Sequence, residues 1–361
     1  MAAIAAAVAA GCAPSSQPQR VQWIVMGTEA TISFRGESED RHEVREAVAG
    51  VYDALNAKLS AWDASSELSE FARSGSDDLS KVSPEVRPCY EAAFRLARES
   101  GGAFNPRLGA KLRELGFTRV SNVDLGAIAK GFAVDMAYDE LARAGYAKRQ
   151  KDGALLLDLG GNLRSVAGSW RTGVRNPFAA LDENSQTSFQ PPHAAVLVLE
   201  EGEAVATSGN YERFVEKDGK RVSHILDGRT GKPVEGIAGV TVVARSAMMA
   251  DGLSTTLFVL GPKRGMEFLS SHYPGTAALW IPDSPDSPQI IATPSMGARL
   301  LEPAFPVSDA SITSSCGQGQ TASTPNGSRP EADCALLSES PSRPDRGAPA
   351  SPRAASGAER P

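Results

Sequence analysis

Asp251, Ser254 and Thr255 stand at i, i+3 and i+4 within the segment AMMADGLSTTLFVLG (247–261). If that segment is helical, one carboxylate and two hydroxyls share a face of an otherwise apolar helix. An oxygen-only cluster suits a hard divalent cation such as magnesium, which keeps its remaining positions for water or substrate phosphates. The same spacing suits a core helix whose aspartate is a cap or is solvated, and whose hydroxyls bond back to the preceding turn. Spacing alone leaves both readings open.

A second chemistry-bearing stretch is DLGAIAKG (124–131), which runs into the helical pattern FAVDMAYDELA. Its two flanking glycines let the backbone approach a ligand, and the N-terminus of the following helix favours anions. Lys130 is available to a phosphate as a point charge. The frame is not a Walker loop, because Phe132 follows Gly131 where lysine is required. A plain strand–turn–helix junction explains the same residues. A third stretch, AVATSGNYERFVEKDGKRVSHILDGRTGKPV (204–234), holds Asp218-Gly219 between two strand-like runs, a hairpin signal. His224, one of four histidines in the chain, precedes a Gly-rich turn and is an acid/base candidate; a structurally bonded strand histidine fits equally.

The elements that must position these residues mix helices and strands without strict alternation, an α+β pattern of two helix–strand clusters. Helical periodicity covers His42–Leu59, Pro84–Ser100, Phe132–Ala144 and Ala247–Leu260. Strand patterns cover Trp23–Phe34, Leu155–Leu159, Ala195–Glu200, Val222–Asp227, Val240–Ala244, Ala277–Ile281 and Gln289–Ala292, several of them apolar on both faces.

At 361 residues and net charge −6, with 41% hydrophobic residues, the chain suits a globular protein and carries no basic stripe for nucleic acid. The four cysteines match no zinc template. Cys89 reads as a core residue; Cys316 and Cys334 lie in the tail, with no pairing inferred. Residues 1–11 (MAAIAAAVAAG) form a small, apolar run ending before Cys12, which resembles a bacterial lipoprotein signal without a basic n-region. The expected organisation is a signal segment (1–11), a tether (12–20), a globular domain (21–305) and a Ser/Pro/Gly/Ala/Arg-rich disordered tail (306–361). Such a protein would be exported and lipid-anchored at Cys12 to the bacterial cell membrane.

In order along the chain, Met26-Gly27-Thr28, LSAWDASSELSEF (59–71), GGAFNPRLG (101–109), DLGAIAKGFAVD (124–135), LLDLGGNLRS (156–165), AVATSGNYERF (204–214), KRVSHILDGRTGKPV (220–234) and SAMMADGLSTTLFVLG (246–261) resemble the FAD:protein FMN transferase (ApbE) family. The resemblance implies mostly antiparallel sheets with a flavin site between the two clusters. It implies FAD as substrate, Mg2+ as cofactor, and transfer of FMN to a threonine hydroxyl of a partner flavoprotein with release of AMP. The acceptor would carry a Ser/Thr-Gly-Ala-Thr type site. Carried over residue by residue, Asp251, Thr255 and the Ala127 carbonyl would hold the metal, with Ser254 beside them. Met26, Trp62, Ala103, Phe104, Asn105, Asp124, Lys130 and the backbone near Ile225 would line the FAD site. His224 or Asp124 would take the acceptor's proton, and Lys130 would add charge as AMP departs. Asn105 departs from the family's usual aspartate, and the Phe117–Asp124 stretch is short. FAD hydrolysis and non-catalytic FAD binding are the rival functions.

Overall fold

The computed structural model describes residues 17–36, 40–146, 154–179, 191–217 and 220–310. The expected signal segment, Cys12, the Asp218-Gly219 turn and nearly all of the tail lie outside these residues.

Nine strands build one sheet in the order β1-β2-β3-β4-β7-β10-β11-β12-β14. They are β1 (Gln19–Val25), β2 (Thr28–Arg35), β3 (Ala154–Leu159), β4 (Asn162–Ala167), β7 (Ala204–Gly209), β10 (Ile237–Ala244), β11 (Ala277–Pro282), β12 (Ile290–Ala292) and β14 (Val307–Asp309). Every pairing is antiparallel except β12 with β14. Three further strands, β5 (Trp170–Arg175), β6 (His193–Leu199) and β13 (Leu300–Leu301), form a small second sheet. β8 (Phe214–Lys217) and β9 (Lys220–Ser223) pair as a hairpin.

The doubly apolar strands are explained by layering. Leu155, Leu157 and Leu159 of β3, with Val240 and Val242 of β10, join the core beneath the helices. Their neighbours Leu156 and Val243 join a second core against the small sheet. Side chains alternate between faces, so a sheet covered on both sides needs apolar residues at successive positions. The expected α+β architecture is therefore present, and its two helix–strand clusters share one sheet. Their seam is short: β4 meets β7 through Leu163↔Val205 and Arg164↔Ala204 alone.

The helical layer holds α1 (Arg41–Leu59), α2 (Glu67–Ser74), α3 (Arg87–Glu99), α4 (Gly109–Glu114), α5 (Ala129–Arg143) and α6 (Ala247–His272). Val44, Val48, Tyr52, Leu55 and Leu59 are buried along α1 at helical spacing. The third helix begins at Arg87, with Pro88 in its first turn, rather than at Pro84. α6 runs past its expected end. Gly261 breaks its geometry at φ +69 ahead of Pro262, and the Leu257 carbonyl there accepts the Trp280 indole N–H at 3.1 Å.

Three expected boundaries shift. Gln19 and Arg20, assigned to the tether, pair with β2. Val307–Asp309, assigned to the tail, pair with β12. The strand expected over 222–227 stops at Ser223, because the Ser223 hydroxyl takes the Ile225 N–H and only a Leu226↔Pro233 bridge follows.

Candidate active site

Two helix starts meet where the oxygen cluster was expected. Asp135 of α5 collects the N-terminus of α6: its carboxylate accepts from the Ser246 hydroxyl at 2.6 Å, and from the Ala247 and Met248 N–H groups at 2.7 and 3.0 Å. Arg164 of β4 pairs with the same carboxylate at 2.6 Å and lies 3.6 Å from the Tyr138 ring centroid. A carboxylate at exposed helix N–H groups satisfies donors that the helix itself leaves unpaired. Gly131 allows the close approach, since a Cβ there would lie 2.2 Å from the Ala247 carbonyl oxygen. The glycine expected to admit a ligand thus admits the neighbouring helix.

The junction sets the geometry of Asp251, which is 5% exposed. Its Oδ2 accepts the Gly131 N–H at 3.0 Å, and its Oδ1 faces Lys130 Nζ at 3.8 Å. Burial pushes this carboxyl above the ordinary value, opposed by the Lys130 charge and the Gly131 bond. Gly131 is the third residue of α5, whose first N–H groups find no acceptor within the helix. Its N–H goes to Asp251, and the Ala127 carbonyl accepts no hydrogen bond from the described residues.

Asp251, Thr255, Ala127 and Lys130 all line one cavity of about 570 Å3, a size that accommodates a small-molecule ligand. Ser254 does not line it. Completely buried, its hydroxyl donates to the Asp251 carbonyl at 2.8 Å and meets the Ser208 hydroxyl at 2.7 Å. Ser208, on β7, lines the cavity instead, 3.1 Å from Thr255 Oγ1. The oxygens available to a hard cation are therefore the Asp251 carboxylate, Thr255 Oγ1 and the Ala127 carbonyl, a donor set that fits magnesium. Among the described residues no three His, Cys, Asp or Glu side chains gather as a metal cluster.

A further part of the rim comes from Ala103, Phe104 and Asn105, which line the cavity with Asp124 and Trp62. Asn105 Oδ1 accepts the Arg107 N–H at 2.9 Å, while Nδ2 donates to the Gly228 carbonyl at 3.0 Å. That second bond requires an amide and ties the rim to the turn that follows His224. Asp124 accepts the Gly126 N–H at 2.8 Å, fixing the loop that presents Ala127. Trp62 is 49% exposed, with the Arg119 guanidinium 5.7 Å from its ring centroid. Met26 is not among the lining residues; it holds φ +51 in the tight turn joining β1 to β2, while nearby Thr28 lines the cavity.

His224 lines the cavity where β9 ends. Its Nδ1 lies 3.0 Å from the Arg213 carbonyl, which can only accept, so Nδ1 carries the proton and Nε2 offers a lone pair. Burial pushes its pKa down to about 4, helped by the charges of Arg213 and Lys130 and opposed by the Arg213 carbonyl. The ring is neutral at pH 7, with Nε2 unprotonated. Ile225 also lines the cavity, but its backbone is engaged: its N–H donates to Ser223 Oγ and its carbonyl accepts from Val234.

Ser208, Arg175, Tyr211, Glu212 and Arg213 also line this space and were not anticipated. Arg175 comes from the small sheet and lies 5.1 Å from the Tyr211 ring centroid. The cavity is thus closed on one side by the helical layer and on the other by the second sheet, above the β4–β7 seam.

Comparison with known families matches the ApbE family over residues 26–122 and 118–280. The chain belongs to the ApbE family. Curated relatives named FAD:protein FMN transferase include one from Vibrio cholerae, 27% identical over 71% of this chain and 86% of its own length. Another from Rhodobacter capsulatus is 28% identical over 78% and 58%, and one from Treponema pallidum is 33% identical over 53% and 64%. The crystal structure of the ApbE protein from Thermotoga maritima matches with a TM-score of 0.64 at 24% identity, covering 79% of this chain and all of that one. The flavin transferase ApbE from Vibrio cholerae matches with the same score and identity. These structures share the fold.

Proposed function

We propose that the chain is a magnesium-dependent FAD:protein FMN transferase, moving FMN from FAD to a threonine hydroxyl of a partner flavoprotein and releasing AMP. The carrying observation is one cavity lined by Asp251, Thr255, Ala127, Lys130 and His224. The name shared by the curated relatives supports the reaction class.

In this reading the Asp251 carboxylate, Thr255 hydroxyl and Ala127 carbonyl hold Mg2+, which when bound supplies positive charge against the substrate's pyrophosphate. The acceptor oxygen bonds to the FMN phosphorus, its proton passes to His224 Nε2, and the phosphorus–oxygen bond to AMP breaks. Lys130 steadies the departing phosphate as a fixed cation. Trp62 offers a ring face for stacking on the flavin or adenine. His224 is the base in this reading, because the Arg213 carbonyl holds its Nδ1 and leaves the Nε2 lone pair to the cavity, whereas Asp124 Oδ1 serves the Gly126 N–H in shaping the loop.

The test incubates purified protein with FAD, Mg2+ and an acceptor carrying a Ser/Thr-Gly-Ala-Thr site. AMP release that needs the acceptor, with FMN mass added to it, is the expected result. AMP release in water alone would establish a pyrophosphatase, and tight FAD without turnover a storage protein. We further propose export with lipid anchoring at Cys12, supported by the small-residue run before it. Palmitate labelling lost in Cys12→Ser is expected, and an unlabelled wild-type protein would overturn the anchor.

A further inference from the structure

We infer that Ser208 is a positioning residue that fixes the proton direction of a buried hydroxyl chain, so that Thr255 presents only lone pairs to the cavity. The inference rests on the magnesium reading of the site and adds to it a control on ligand charge.

The direction follows from counting hydrogens. Ser254 has one hydroxyl hydrogen, and its Oγ lies 2.8 Å from the Asp251 carbonyl oxygen, which can only accept. That hydrogen is therefore spent. The 2.7 Å contact between Ser208 and Ser254 must then use the Ser208 hydrogen. The 3.1 Å contact between Thr255 Oγ1 and Ser208 Oγ must in turn use the Thr255 hydrogen. Protons run from Thr255 to Ser208 to Ser254 to the Asp251 carbonyl. Ser254 is fully buried and Ser208 is 8% exposed, so bulk water has little access to the interior bonds.

The result is a sorted surface. Thr255 keeps no hydrogen for the cavity, Asp251 Oδ2 is occupied by Gly131, and Oδ1 and the Ala127 carbonyl are acceptors by nature. All three oxygens attract a cation and repel a bare phosphate oxygen. Lys130, 3.8 Å from Asp251 Oδ1, is the cation beside these oxygens that can meet a phosphate, with Arg175 and Arg213 elsewhere on the lining. Ser208 sits on β7 whereas its two partners sit on α6, so the sheet sets the polarity of an oxygen that the helix carries.

Two probes separate this role from simple loosening of the site: Mn2+ and inorganic pyrophosphate, each titrated alone into the purified, flavin-free protein. Ser208→Ala releases the Thr255 proton to turn into the cavity. Mn2+ affinity should fall by roughly ten- to a hundred-fold, the usual cost of removing a residue that orients a metal ligand. Metal-free pyrophosphate affinity should hold or rise. Ser208→Cys, whose thiol is a weak donor, should show the same split more mildly and serves if the alanine variant fails to fold. Equal loss of both affinities, or unchanged Mn2+ binding, overturns the proposal. Asp251→Ala is measured in parallel: if it too binds Mn2+ like wild type, the metal site itself is refuted, whereas its failure beside an unaffected Ser208→Ala refutes only the hydroxyl chain.

Discussion

The backbone N–H of Gly131 donates to Asp251 Oδ2 at 3.0 Å, joining the first turn of one helix to a side chain on the next. This one bond aims the carboxylate and satisfies an N–H that the first turn of α5 leaves unpaired, while the Ala127 carbonyl, ahead of the helix, accepts no hydrogen bond from the described residues. Two candidate ligands for a cation thus flank the start of α5.

Gly131→Ala should therefore damage stability and site together. The added Cβ would meet backbone atoms of Ala247 at 2.2 and 2.6 Å, and backbone cannot swing aside as a flexible side chain does. Urea denaturation should show a loss of about 1–3 kcal/mol. FAD cleavage should fall further than that loss of folded protein accounts for.

Asp251→Asn keeps an oxygen for the Gly131 N–H but removes the charge. The fold should persist by circular dichroism. Magnesium-dependent turnover should drop on the order of a thousandfold, the equivalent of about 4 kcal/mol of lost charge stabilisation. Wild-type turnover would remove the carboxylate from the mechanism.

Asp135→Asn tests the clamp on α6. Asp135 and Arg164 have side chains 14% and 13% exposed, so losing one charge leaves the other largely buried and unpaired. Destabilisation of about 3 kcal/mol is expected in chemical unfolding. Adding Arg164→Met should recover part of it, because the two changes act on one pair.

His224 sets a pH dependence. Its pKa in the folded chain is pushed down to about 4, against roughly 6.5 when unfolded. Between those values the unfolded state binds the extra proton, so this group's stabilising contribution is complete above about pH 6.5 and is lost as pH falls toward 4. His224→Asn should flatten that part of the stability profile and slow transfer with little change in FAD affinity. Transfer by the wild type should retain its neutral base at pH 5.5, and a rate that halves near pH 6.5 would contradict the buried imidazole.

Much of the fold could be read from apolar periodicity, because burial on both sheet faces and on helical stripes writes directly into residue order. Asp251 and Thr255 were legible for the same reason: four residues apart, they stay close on one helical face. Ser254 was misplaced because i+3 turns away from i+4, and that rotation directs it into β7 instead of the cavity. Ser208 gave no signal, since its importance depends on which helix packs against its strand. Asp135 reads in isolation as a solvated helical acid; only the arrival of α6 makes it a cap. Gly131 and Met26 illustrate the converse. Gly131 was expected to let the backbone approach a ligand and admits α6, while Met26, which the resemblance sets at the FAD site, holds the turn between β1 and β2.

The break in α6 at Gly261 has a mechanical consequence. Its front half carries Asp251 and Thr255, and its rear half packs Gly265 against Trp280. Pro262 has no N–H to give the helical ladder, so the backbone hydrogen bonding of the two halves is interrupted at this joint. The Trp280 indole, anchored to the Leu257 carbonyl, holds the front half's end in place. Exposed positions such as Lys263, Glu267 and Ser270 are accordingly free to vary, whereas Gly265, Phe268 and Leu269 stay fixed in the core beside Trp280.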